Sequence, residues 1–424
     1  MRVLKKSEVV GRDPVLPMTS FAPDADGQLS LFPRYEVFLE DVFQAYYNCR
    51  KGKRTQTPAQ EFEVDWENNL IDLHKDLEEG TYQCGQSKVF IVDKPVKREI
   101  FAASFRDRIV HHWLMALMNP IIEKQLIYDC YACRLKKGAH LGINRLNHFM
   151  RSATNNYQKE AWVLRLDIQS FFMSIDKSIL LSKLDAFIES NDFPADKETL
   201  RHYCRLIILH DPRNGCNRNS PYASWRGLAP SKSLFSNKEG CGLPIGNLTS
   251  QIFANFYLSF LDHYIKHTLG VRFYGRYVDD FVLIHKDPAF LRSCIKNIRS
   301  FLADELALTL HPKKIYLQRV DHGCMFLGCS IQIGHSNASR RWISNWKEKI
   351  DLYNALIEER KLTKEIVASF QATMNSYLGM VSHYDTYRLR SSMVQQSDTR
   401  WGRFYFSDPS VSKLQRIKPH CLNS

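Results

Sequence analysis

The chain has no run of 18 apolar residues, so nothing in it reads as a membrane span. The charged start Met1-Arg2-Val3-Leu4-Lys5-Lys6 has no apolar stretch behind it, and no signal peptide is expected. The 11 cysteines are scattered and odd in number, which argues against a disulfide framework and for a reducing, cytoplasmic setting. Cys130-Tyr131-Ala132-Cys133 has no second pair at ligand spacing, and Cys324 and Cys329 stand too far apart for a knuckle. A zinc site is therefore not expected. No internal repeat or low-complexity tract is visible. Acidic residues are in deficit, 45 against 58 Lys and Arg, for a net charge of +13.

What is present is enough to fold. Apolar residues make up 44% and aromatics 12% of 424 residues, which excludes wholesale disorder. At roughly 100–200 residues per domain, the length implies two or three domains or one multi-lobed enzyme. The positive excess is spread along the chain and fits a cleft facing a polyanion, nucleic acid first. A merely soluble basic protein is the plainer reading.

Proline-rich residues 1–34 read as an extended arm. Helical spacing is expected over Tyr35–Arg50, Ala59–Glu79, Ser104–Lys124, Ala139–Thr154, Ser178–Ser190, Thr199–His210, Leu248–Leu269 and Ala289–Leu306. Strands are expected at Lys88–Lys94, Trp162–Asp167, Val271–Tyr277, Phe281–His285, Ile315–Val320 and Met325–Ile333. Residues 211–242 read as a long polar loop, and beyond about residue 340 the pattern is charged and helical.

Asp167 closes an apolar strand, and Asp279-Asp280 occupy the turn between two more. Adjacent acids repel, and burying them is costly unless a cation neutralises them. Three acids on neighbouring strands can hold two Mg²⁺ ions for in-line phosphoryl transfer. Ordinary turn chemistry is the competing reading of Asp-Asp alone.

The turn does not stand alone. Tyr277-Val278-Asp279-Asp280 has the YxDD form of reverse transcriptases, and Leu166-Asp167-Ile168-Gln169-Ser170-Phe171-Phe172 resembles their first palm motif. Gly242-Leu243-Pro244-Ile245-Gly246-Asn247-Leu248-Thr249-Ser250-Gln251 resembles their central loop-helix motif. His311-Pro312-Lys313-Lys314 and Phe326-Leu327-Gly328 resemble the last two, and Lys97-Arg98 with Phe105-Arg106-Asp107-Arg108 the finger motifs. The resemblance spans roughly residues 85–335, in the right order.

It implies a mixed α/β (α+β) right-hand polymerase fold. The expected parts are an arm at 1–34, fingers and N-terminal helices at 35–156, a palm with finger insertions at 157–335, and a helical thumb and tail at 336–424. The palm's antiparallel sheet would carry the acids. Asp167 and Asp279 would bind both metals, Asp280 would complete the acidic site, and the Ile168 carbonyl would add an oxygen. Phe172 would gate the sugar 2′ position, with core packing as the alternative. Lys97 and Arg98 would neutralise the triphosphate. Ile245, Gly246 and Gln251 would border the nascent base pair, and Lys313 would approach the nucleotide. The implied cofactor is Mg²⁺, two ions, with Mn²⁺ as a substitute.

The form Ile245-Gly246 with Ser250-Gln251 resembles bacterial reverse transcriptases of diversity-generating retroelements and their antiphage-defence relatives. The resemblance therefore implies dNTP substrates, a dedicated structured or non-coding template RNA, a cDNA product, and a small accessory protein or a second copy as candidate protein partners. The basic residues Arg340, Arg341, Lys347, Lys349, Arg360 and Lys361, and Trp401 and Tyr405 among Arg400, Arg403 and Arg416, read either as an RNA surface or as a thumb core with a charged face. The alternative function is a catalytically idle polymerase-like RNA-binding scaffold, against which the three intact acids argue.

Overall fold

The computed structural model describes residues 35–94, 96–359, 361–384, 386–397 and 399–417. The expected arm at 1–34 and Arg360 lie outside the described residues. In chain order the elements are α1 (Leu39–Arg50), α2 (Thr57–Glu63), α3 (Trp66–Glu78), β1 (Lys88–Val92), β2 (Arg98–Ala102), α4 (Phe105–Gln125), α5 (Ala139–Ala153), β3 (Trp162–Asp167), α6 (Phe171–Ser174), α7 (Lys177–Glu189), α8 (Lys197–Leu209) and β4 (Asn217–Arg218). They continue with α9 (Leu248–His263), β5 (Phe273–Tyr277), β6 (Asp280–His285), α10 (Pro288–Leu306), β7 (Tyr316–Arg319), β8 (Cys324–Phe326), β9 (Cys329–Gln332), β10 (His335–Ala338), α11 (Arg340–Glu358), α12 (Lys364–Val381), α13 (Tyr387–Gln395), β11 (Tyr405–Ser407) and β12 (Leu414–Arg416). No helix among the described residues is long and apolar enough to cross a membrane.

The chain divides into two compact units. The first comprises the described residues through Gln125 together with Phe172–Tyr257. Its helix α4, expected from the helical spacing over Ser104–Lys124, is buried on most of its circumference, at Ile109, Val110, Trp113, Leu114, Leu117 and Met118. β1 and β2 pair antiparallel from Lys88↔Ala102 to Val92↔Arg98, and β4 joins β1 in parallel. Strand β2 falls in a stretch whose charges hide it. Glu99 is buried on it and accepts hydrogen bonds from Trp225 Nε1 at 2.7 Å, Ser233 Oγ at 2.9 Å and the Leu234 N–H at 2.7 Å. One carboxylate thus ties down the segment expected to be a plain loop, which holds β4 and short 3₁₀ turns.

The second unit comprises Leu126–Phe171 and the described residues from Leu258 onward. Its centre is an antiparallel sheet in the order β5-β6-β3-β7. Trp162↔His285 through Asp167↔Asp280 fixes the β3–β6 register. With a period of two, Val163, Arg165 and Asp167 share one face, with Ile284, Val282 and Asp280 opposite them. Ile143, Leu146, Phe149 and Met150 of α5, with Phe326, Cys329 and Ile331 of the following hairpin, cover Val163, Val282 and Ile284. A C-terminal core of α11–α13 and β11–β12 gathers Trp346, Ile350, Phe370, Met374 and Leu378.

Several boundaries depart from expectation. The 59–79 helix breaks into α2 and α3. The 325–333 strand is a hairpin, turning at Leu327 and Gly328 with φ of 51° and 77°. The helix from 248 passes into a π-turn at Tyr264–Thr268. β11 and β12 occupy a region read as helical. Trp401 and Tyr405 are buried, Trp401 stacked on Phe370 at 3.8 Å, so they are core rather than base-stacking platforms.

Candidate active site

The three acids converge because of the sheet register. Asp167 and Asp280 are cross-strand partners at the ends of β3 and β6. Asp279 lies in the two-residue turn between Tyr277 and Asp280, which pair across β5 and β6. Val278 adopts φ 56°, a strained conformation for a β-branched residue. The strain is held from beneath. Arg276 is fully buried and donates to the Val278 carbonyl from Nη1 at 2.9 Å. Its Nε and Nη2 grip Asp262, also fully buried, at 2.7 Å each, and Tyr274 Oη donates to the same carboxylate at 2.6 Å. The aspartate turn therefore rests on a buried ion pair that is hydrogen-bonded on both sides.

Charge balance around the acids is uneven. Burial, and then the neighbouring Asp167 charge, push the Asp279 carboxyl up to about 6. Asp280 is raised chiefly by burial, opposed by Arg165. Arg165 Nε and Nη2 grip the two Asp280 oxygens at 2.8 Å each, a diagonal pair on one face of β3 and β6. Lys314 Nζ lies 2.9 Å from both Asp167 oxygens. Backbone bonds fix the surroundings: Ile168 N–H to the Asp279 carbonyl at 3.1 Å, Gln169 N–H to Thr309 at 2.9 Å, and His311 N–H to Asp167 at 2.8 Å.

Among the described residues no group of three His, Cys, Asp or Glu side chains stands ready to enclose a metal ion. Arg165 and Lys314 are paired with two of the three carboxylates, Asp280 and Asp167. The set still suits Mg²⁺, which takes one or two carboxylates and completes its shell with water and phosphate oxygens rather than a protein cage. Asp279, buried beside Asp167 with its carboxyl pushed up, is the group that most needs a cation.

Of the other sequence-selected residues, Lys313 lies in the second unit and Lys97, Arg98, Phe172, Ile245, Gly246 and Gln251 lie in the first. Phe172 and Ile245 pack against one apolar cluster of Val89, Phe101, Met173 and Leu234. The Ile245 carbonyl accepts the Phe101 N–H at 2.8 Å, and the Leu243 N–H donates to the Phe172 carbonyl at 2.8 Å. Gly246 has φ 129°, and a Cβ there would stand 2.7 Å from the Phe101 carbonyl oxygen. The close approach that demands glycine is thus to β2. Gln251 is half-buried in the first turn of α9. Lys97 donates to the carbonyls of Ser224 at 2.9 Å and Arg226 at 2.8 Å and pairs with Asp93 at 3.1 Å. Arg98 is exposed at the start of β2, and Lys313 is exposed beside Lys314.

Sequence reasoning missed Arg165, Arg276, Asp262 and Lys314. Arg165 stands two residues before Asp167, so strand alternation alone places it on the same face. Lys314 follows the lysine that was singled out. Asp262, fourteen residues from Arg276, carries no local signal.

The family model described as reverse transcriptase (RNA-dependent DNA polymerase) matches residues 94–331, more than half of the chain. No curated protein matches. Among solved structures, an apo telomerase from Candida tropicalis aligns with TM-score 0.45 and 10% identity over 76% of this chain and 62% of its own. A Candida albicans telomerase in complex with a TWJ fragment of telomeric RNA aligns with TM-score 0.43 and 12% identity over 74% and 57%. The chain spans less than two thirds of the length of these structures. With motifs, mixed helix-and-sheet fold and family match in agreement, the chain belongs to the reverse transcriptase (RNA-dependent DNA polymerase) family.

Proposed function

We propose that the protein is an RNA-directed DNA polymerase whose chemistry is carried by Asp167, Asp279 and Asp280. The observation behind this reading is the convergence of the three acids at the β3 and β6 ends, with Asp279 buried and pushed up to about 6. Two Mg²⁺ ions, or Mn²⁺ in their place, would sit on Asp167 and Asp279, with the Ile168 carbonyl as a further oxygen. When bound they would acidify the attacking hydroxyl and stabilise the pyrophosphate leaving group. Asp280, neutralised by Arg165, completes the acidic field.

The remaining residues select and hold the nucleotide. The Phe172 ring, packed on the Val89 cluster, would close the space a 2′-hydroxyl needs and so favour dNTPs. Arg98 is the better candidate of the basic pair for the triphosphate, because Lys97 is spent on Asp93 and the Ser224 and Arg226 carbonyls. Ile245, Gly246 and Gln251 would border the base pair, and Lys313 would reach the nucleotide. On this reading the fingers, palm and thumb follow the boundaries 35–156, 157–335 and 336–424.

The Ile245-Gly246 form supports a bacterial enzyme with a dedicated template RNA, working in diversification or antiphage defence. Sequencing of co-purified RNA and its DNA product separates these roles: adenine-directed errors over a repeat mark diversification, a faithful copy of a small RNA marks defence. Primer extension on an RNA template tests the activity itself. Binding of RNA without extension, under conditions where the fold is intact, would support the idle scaffold instead.

A further inference from the structure

Outside the acidic site, the second unit carries a polar groove on the outer face of α5. It has a volume of about 830 Å³ and continues into a second hollow of about 460 Å³ that shares Asn144, Asn147, Arg151 and Asn156. The first volume lies within the range of small-molecule sites, roughly 300–1,000 Å³. The helix period puts Asn144, Asn147, His148 and Arg151 along one wall. The start of β10, with His335 and Ser336, forms another, joined to the first by Asn147 Nδ2 donating to Ser336 Oγ at 3.0 Å. His383 and Tyr384 close one end.

The end beyond α5 is built at a conformational cost. Asn155, Asn156 and Tyr157 all have left-handed backbones, with φ of 50°, 56° and 66°. Three such residues in succession are rare, and a bulky tyrosine adopts this region reluctantly. Buried Thr154 holds them: its hydroxyl donates to the Met150 carbonyl at 2.6 Å and accepts the Tyr157 N–H at 2.9 Å. The Asn156 N–H donates to the Arg151 carbonyl at 2.8 Å, and Arg151 Nη2 donates to Asn156 Oδ1 at 3.3 Å.

The chemistry of the lining is selective. It holds asparagine amides, histidine rings, serine hydroxyls, two tyrosines and one arginine, and no Asp or Glu lines either hollow among the described residues. Amides offer a donor and an acceptor side by side, which suits base edges and a 2′-hydroxyl. Tyrosine and histidine rings suit stacking, and a cation with no carboxylate nearby suits phosphate.

We propose that this groove binds a single-stranded segment of RNA, with the exposed rings of His148 and His335 stacking bases, the asparagines meeting base edges and Arg151 a phosphate. The choice of RNA over DNA rests on the polymerase reading above, in which the strand extending beyond the copied duplex is RNA. It is tested with the full chain and a short unstructured RNA carrying 4-thiouridine, cross-linked by light and mapped by mass spectrometry. A same-sequence DNA probe carrying 4-thiothymidine runs beside it.

Cross-links are expected in 144–157 and at 383–384, falling about tenfold in Arg151→Glu, the scale of one charged hydrogen bond. Arg151→Lys should keep most of the labelling. Extension of a short annealed primer-template should be unchanged in both variants, with unaltered melting. Cross-links elsewhere on the chain but none in these segments, or equal labelling in Arg151→Glu, overturn the site. Equal labelling by the DNA probe overturns the RNA assignment. A failure of primer extension by the unaltered protein would count against the polymerase reading and leave the cross-link map readable on its own.

Discussion

The Lys314 ammonium lies 2.9 Å from each carboxylate oxygen of Asp167. On the two-metal reading proposed above, this cation sits on a carboxylate that would hold a divalent ion, so metal entry would displace it. Replacing Lys314 by Met removes that competitor and leaves Asp167 and Asp279 to repel one another. Stabilisation by a ligand grows with its affinity for the folded state. Lys314→Met should therefore melt lower without metal and gain more from Mg²⁺ than the unaltered protein does. Thermal melts across a Mg²⁺ titration check this, and an identical gain in both proteins would show that Lys314 does not compete.

Asp279 gives the metal-free protein a specific pH dependence. Its folded carboxyl is pushed up to about 6, above the ordinary aspartate range. Between about pH 4 and pH 6 the folded state keeps a proton that the unfolded chain has released, so stability falls as pH rises through that window. At about 1.4 kcal/mol per unit the loss is at most about 3 kcal/mol by neutral pH. Asp279→Asn should flatten this slope and stabilise the apo protein near neutrality. Urea unfolding at several pH values measures it, and a slope unchanged in the variant would contradict the assignment.

Arg276 is predicted to matter through the turn it holds. Removing one partner of a fully buried ion pair costs about 3–5 kcal/mol, because the other charge is left unpaired. Arg276→Met should be destabilised on that scale, and Asp262→Asn by a similar amount. The paired change Arg276→Met with Asp262→Leu should recover much of the stability but not the activity, since nothing then fixes the Val278 carbonyl. Chemical denaturation together with primer extension separates the two effects.

The legibility of this protein in its sequence follows the range of its interactions. Asp167 and the Tyr277–Asp280 turn were readable because each ends an apolar strand, whose side chains alternate with period two, and each belongs to a motif that resembles those of reverse transcriptases. Arg165 was equally available by that period, yet an arginine inside a strand carries no label until Asp280 is seen opposite. Glu99 shows the opposite limit. It lies in β2, where no strand was expected, and its partners lie more than a hundred residues away at Trp225, Ser233 and Leu234. Trp401 and Tyr405 were ambiguous among arginines because only tertiary packing on Phe370 decides between core and surface.

Phe172 carries two effects that can be told apart. As a half-buried ring on the Val89 cluster, its truncation should cost stability, within the range of about 3–5 kcal/mol for large core deletions and toward its lower end. As a sugar gate, its truncation should raise rNTP use relative to dNTP. The ratio of kcat/KM for the two sugars in Phe172→Ala isolates the second effect from the first. An unchanged ratio in a variant that still extends primers would assign the gate to another residue.

RNA-templated DNA synthesis is proposed to depend on the acids at the β3 and β6 ends. The most direct measurement is extension of a primer on an RNA template with dNTPs and Mg²⁺, by the unaltered protein and by Asp279→Asn at matched folded concentration. Extension is expected from the first and none from the second, with circular dichroism and melting showing both folded. Equal extension by the two proteins, or none by the unaltered protein on any primed RNA with either Mg²⁺ or Mn²⁺, would contradict it.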